Sequence, residues 1–91
     1  KNDRVVETIP LDRVIARETE ESIRFMENAA TTSKPFFLYL ALGSPHTPIV
    51  PSERWFGQSG INPYADFVME TDHAVVTVLD ALDRLGIADD T

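Results

Sequence analysis

The sequence predicts an α/β layer fold, present in part: a helix, a buried strand of the parallel type, a long loop and a second helix. Three observations carry that prediction. Apolar residues recur at steps of three and four over about 12–30 and again over 63–85, which is the helical period. Residues 35–42, PFFLYLAL, are apolar without alternation, as in a strand covered on both faces. Residues 43–60 hold Pro45, Pro48 and Pro51 among glycines and serines, and read as loop.

The elements follow in order. RVVET, residues 4–8, is a candidate edge strand that Ile9-Pro10 breaks, because proline has no N–H to pair. Asp12 is placed to cap the first helix. Leu11, Ile15, Ser22, Met26 and Ala29 fall on or near one face, with Val14, Ile23 and Phe25 beside it. Glu18, Glu20, Glu21 and Glu27 supply the wet side and read as a solvated face rather than a metal site. TTSKP, residues 31–35, stops the helix with a proline that disfavours helix before it. The strand at 35–42 has no evident partner within the chain.

Trp55 and Phe56 lie in the loop, where large aromatics are expected to pin it to the body of the protein. The second helix has Asn62 to cap it and Pro63 at its first position. Tyr64, Val68, Thr71, Val75, Val78, Leu82 and Leu85 form the stripe expected to be buried. Asp66, Glu70, His73, Thr77, Asp80 and Arg84 lie off it, and Gly86 suits the left-handed position that ends a helix. IADDT then reads as a turn.

The whole chain, 1–91, is expected to be a single partial domain. With 43% hydrophobic and 25% charged residues it is globular in composition. A net charge of -7 argues against nucleic acid or an anionic membrane as partner. The lack of cysteine excludes disulfides, thiolate nucleophiles and Cys-ligated zinc. No apolar run approaches the roughly 20 residues that span a bilayer, and KNDRVVETIP lacks the apolar core of a signal peptide.

One residue stands out for chemistry. His46 follows the strand, where open parallel sheets bind ligands, and it sits between Pro45 and Pro48 in GSPHTPIVP. Each proline restricts the residue before it, so the loop is stiff before any ligand arrives, as anion stabilisation requires. An imidazole there can donate to an anion, act as acid or base, or bind metal. The bland reading is a rigid turn with a surface histidine. His73, near Glu70 and Asp72, reads as solvated or salt-bridged; Asp89 and Asp90 read as a polar turn, and Tyr39 as a packed aromatic. No Gly-rich phosphate loop, nucleophile elbow or HExxH motif is present.

KPFFLYLALGSPHTPIVPSERWFGQS, NPYADFVMETDHAV and VLDALDRLGIADDT together resemble the sulfatases, the arylsulfatase branch of the alkaline-phosphatase-like superfamily. The resemblance spans essentially the whole chain and is most specific in its centre. It implies an internal segment of the family's α/β sandwich and hydrolysis of sulfate esters, on aryl sulfates or sulfated sugars. It implies that His46 is a catalytic, substrate-binding residue that hydrogen-bonds the ester near its leaving-group oxygen. Family members use a formylglycine from a Cys/Ser-x-Pro-x-Arg motif, and calcium or a similar divalent ion held by Asp and Asn pairs. This chain has no such motif, and Asp89 and Asp90 are not the metal pair, so the segment is expected to bind neither group and to be inactive alone. Val76-Thr77 departs from the glycine and polar residue frequent in relatives. Family analogy implies a periplasmic, secreted or lysosomal setting. Two rivals remain at this stage: a phosphodiesterase or phosphonate hydrolase on the same frame, and a non-catalytic module that self-associates through PFFLYLAL.

Overall fold

Two helices and the loops between them make up the chain in the computed structural model, which describes residues 4–91. A 3-10 turn over Leu11–Arg13 leads into α1, Val14–Ala30; α2 is Pro63–Leu85, and a last 3-10 turn covers Ala88–Asp90. The expected α/β class is therefore wrong for this chain. Among the described residues there is no strand, neither at 4–8 nor at 35–42, and no sandwich.

The reason lies in the ladder. A strand exists by exchanging N–H···O=C bonds with a neighbour, and 35–42 has none to pair with here. Its burial still alternates: Phe36, Leu38, Leu40 and Leu42 are half-buried, whereas Phe37, Tyr39 and Ala41 are exposed. One face lies on the helices, with Phe36 edge-on to Phe25 of α1 at 5.6 Å between ring centroids. The other face is open, with Phe37 86% and Tyr39 81% exposed. The sequence reports a run that is apolar on both sides; this chain covers one.

The first helix forms where the pattern placed it. Asp12 does not cap it: the turn closes by Arg13 N–H to the Pro10 carbonyl at 2.9 Å, with no side-chain cap. The dry face is Ile15, Thr19, Ser22 and Met26. Thr19 and Ser22 can be buried because their hydroxyls donate back to the Ile15 and Glu18 carbonyls, each at 2.8 Å. Thr31 and Thr32 end the helix: their hydroxyls and their N–H groups donate to the Asn28 and Ala29 carbonyls respectively. Leu11, expected inside, is exposed.

The second helix has the termini the sequence predicts. Asn62 Oδ1 accepts from the Ala65 N–H at 2.8 Å, Pro63 opens the first turn, and Gly86 has φ 72. Its buried face is not the predicted stripe. Tyr64, Val68 and Val75 are exposed, and Asp66, Phe67, Glu70, Ala74 and Ala81 are buried. The rotation of α2 is set by loop amides that need acceptors. Gly57 and Ser59 donate to Asp66, and Ser52 donates to Glu70. Turning the helix to bury Tyr64 and Val75 would strip those N–H groups of their partners, a cost that rivals the apolar gain.

The core is small. Ile15, Phe67 and Ala74 form its centre, with Leu42 and Ile49 packed against it. Met26 is the large apolar side chain most completely enclosed, at 1% exposure. The molecule measures 45 × 33 × 17 Å, with a radius of gyration of 14.7 Å against about 12 Å for a compact chain of this length. A slab so thin has little interior, and much apolar surface on α2 and at 35–42 stays outside. Among the described residues no helix is long and apolar enough to cross a membrane.

Candidate functional site

The loop carrying His46 is anchored on both sides. Leu42 before it and Ile49 after it seat on the core. The Ser44 and Thr71 hydroxyls lie 2.7 Å apart, and Thr71 Oγ1 is also 2.7 Å from the Phe67 carbonyl. Threonine has one hydroxyl proton, so with that proton on Phe67 the Ser44 hydroxyl must donate to Thr71. The His46 N–H closes the turn on the Gly43 carbonyl at 3.3 Å. Both prolyl bonds that flank His46, Ser44-Pro45 and Thr47-Pro48, are cis.

The His46 side chain is exposed, and its hydrogen bond fixes the tautomer. Nδ1 lies 2.8 Å from the Thr47 carbonyl. A carbonyl only accepts, so Nδ1 carries the proton. In the neutral ring Nε2 is then a lone pair, able to accept a proton or bind a metal. It donates a hydrogen bond only as imidazolium. Whatever anion meets Nε2 meets a donor only when the ring is charged.

The other candidates lie elsewhere. His73 is not in a salt bridge among the described residues; it is half-buried, with its ring tilted against Trp55 at 5.1 Å between centroids. Trp55 pins the loop as expected, with the Arg54 guanidinium 5.2 Å from its ring centre, but Phe56 is exposed and pins nothing. A cleft of about 620 Å³ runs between α1, residues 52–55 and α2, lined by Arg13, Arg17, Trp55, Glu70, His73 and Thr77 among others. His46 does not line it, so this cleft and the sequence-derived residue are separate places. Asp89 and Asp90 form part of the closing 3-10 turn, and Tyr39 is exposed rather than packed.

Two carboxylates are shifted in opposite directions. Asp66 is held below the ordinary carboxylate range by the Ser59 hydroxyl first, then by the Gly57 and Ser59 N–H groups, with burial opposing. Glu18 is pushed up by burial, which the Gly43 N–H only partly offsets. One of its oxygens, Oε2, is buried with no hydrogen-bond partner. Asp66 and Glu70 were invisible as anchors in the sequence. Both sit where helical spacing reads a wet face, and only the loop amides above them reveal their work.

No cluster of three or more His, Asp or Glu side chains among the described residues could hold a metal ion. The residues present thus fit neither a calcium site nor, lacking the Cys/Ser-x-Pro-x-Arg motif, a formylglycine.

The sulfatase family model matches residues 2–91. Mouse (Mus musculus) N-acetylgalactosamine-6-sulfatase is 36% identical over 73 residues, which are 80% of this chain and 14% of that protein. Human (Homo sapiens) arylsulfatase A is 36% identical over 66 residues, 72% of this chain and 13% of that protein. N-acetylgalactosamine-6-O-sulfatase of Bacteroides thetaiotaomicron is 34% identical over 58 residues, 64% of this chain and 11% of that protein. The chain thus spans about one seventh of the length of the curated relatives it matches. No solved structure matches it.

Proposed function

This chain belongs to the sulfatase family, and we propose that it is part of a hydrolase of sulfate esters in which His46 donates a hydrogen bond to the ester. The observation behind this reading is the His46 loop: a turn anchored at Leu42, Ser44 and Ile49 that leaves Nε2, among the described residues, as the ring atom without an internal partner. As the S–O bond breaks, negative charge builds on the bridging oxygen. An imidazolium N–H aimed at that oxygen stabilises it best if the loop need not reorganise. Nδ1–H on the Thr47 carbonyl keeps the ring oriented while Nε2–H faces the ester. The names of the relatives point to an aryl sulfate or a sulfated sugar as substrate. The sequence holds no Cys/Ser-x-Pro-x-Arg motif, and the described residues hold no cluster for a metal ion, so neither nucleophile nor metal has matching residues among them.

The test is turnover of nitrophenyl sulfate by the complete protein that carries these 91 residues. His46→Ala is expected to lower kcat by about 10²–10³-fold, the usual loss for one preorganised donor. The isolated 91-residue chain is expected to show no turnover. Unchanged kcat in His46→Ala, or turnover by the isolated chain, would overturn the proposal.

A second reading concerns the isolated chain, which we propose self-associates through the open face of 35–42. The exposure of Phe37 and Tyr39 supports it, because a contiguous apolar face of this kind favours contact with a second copy.

A further inference from the structure

Thr71 of α2 stands in the apolar stripe that the helical period lays out, yet it carries a hydroxyl. Valine would fill the same space with no polar group to satisfy. The side chain is half-buried, and its oxygen has two partners. The proton is on the carbonyl of buried Phe67, one turn back on the same helix, at 2.7 Å. The oxygen is then left as an acceptor, and the Ser44 hydroxyl donates to it at 2.7 Å. The bond to Phe67 locks the Thr71 rotamer, and with it the place where the Ser44 hydroxyl must lie.

Leu42 and Ile49 seat the loop by apolar packing, which has no direction. The Ser44–Thr71 bond has one, and it acts two residues from His46. Ser44 and Pro45 are the two residues inside the turn that the His46 N–H closes on the Gly43 carbonyl at 3.3 Å. The Pro45 ring fixes its own φ. Past the turn, Nδ1 against the Thr47 carbonyl at 2.8 Å sets the imidazole. The path from α2 to the ring therefore runs through three hydrogen bonds and two turn residues.

We propose that Thr71 is a positioning residue for His46, aiming the turn through Ser44 so that Nε2 meets the ester in a fixed place. The proposal rests on the function assigned to His46 above. A preorganised donor acts only where the charge develops, and a misplacement of about 1 Å is enough to cost much of its effect. Without the Thr71 acceptor the turn keeps its contacts at Leu42 and Ile49 but loses the bond that aims it.

The test is a double-variant cycle on nitrophenyl sulfate turnover by the complete protein that carries these 91 residues: wild type, Thr71→Val, His46→Ala and the two together. Thr71→Val is expected to lower kcat about fivefold, the equivalent of one neutral hydrogen bond, with KM little changed. In the His46→Ala background the same substitution should change kcat no further, because the residue it aims is gone. Thr71→Ser, which keeps the hydroxyl, should recover most of the loss. Ser44→Ala removes the bond from its other end; it should match Thr71→Val, and it carries the cycle if that variant does not fold. A merely structural Thr71 would lower kcat by the same factor with and without His46. That result, or unchanged kcat in both Thr71→Val and Ser44→Ala, overturns the proposal while leaving the role of His46 standing. Unchanged kcat in His46→Ala removes that role, and the positioning role with it.

Discussion

Thr71→Val should loosen the His46 loop by a predictable amount. The substitution keeps the shape of the side chain and removes the hydroxyl that lies between Ser44 and the Phe67 carbonyl. That carbonyl keeps its bond from the helix backbone, so the loss falls on Ser44. One neutral hydrogen bond with half-buried partners is worth about 1 kcal/mol, within a range of roughly 0.5–1.5. Ser44→Ala should cost a similar amount, and the double variant little more than either alone. The coupling between the two sites is then about 1 kcal/mol. Four urea unfolding curves, read with a common slope and at one chain concentration, measure it. For a chain this short each single variant should melt roughly 4–8 °C lower. A coupling below about 0.3 kcal/mol, the level of ordinary additivity, would show that Thr71 does not hold the loop.

Other consequences are open to similar checks. Met26→Ala should destabilise by about 2–5 kcal/mol, because the side chain is enclosed and its neighbours on α1 cannot fill the space; urea unfolding measures this. Asp66 has its folded-state pKa lowered, so its contribution is present above the unfolded carboxyl pKa and lost as pH falls through the folded value. Asp66→Asn should flatten the acid limb of the urea midpoint against pH. Glu18 has the opposite sign: its raised pKa means protonation favours the fold, so Glu18→Gln should remove a loss of stability that develops as pH rises through that value. Light scattering should find the isolated chain above monomer mass, and Phe37→Lys with Tyr39→Lys should return it to monomer; a wild-type monomer would refute self-association.

The sequence was legible where structure is local. The helix spans, the Asn62 cap, Pro63 and the Gly86 ending all follow from residues within a turn of one another, and the structure has them. It misled where an outcome depends on what lies across the gap. PFFLYLAL carries the composition of a covered strand, but a strand needs a neighbour's amides, and this chain offers none. The Tyr64–Val75 stripe points outward because Asp66 and Glu70 answer the loop amides of residues 52–59, a contact with no signature in helical periodicity. For the same reason His46 was visible between its prolines, while Thr71, which holds its loop, was not.

The most direct test of the account follows the ring nitrogens of His46 by ¹⁵N NMR in the 91-residue chain, with and without excess nitrophenyl sulfate. The account predicts a neutral ring protonated on Nδ1 and a response to the ester at Nε2. A neutral ring protonated on Nε2, or an ester that leaves Nε2 unchanged, would contradict it.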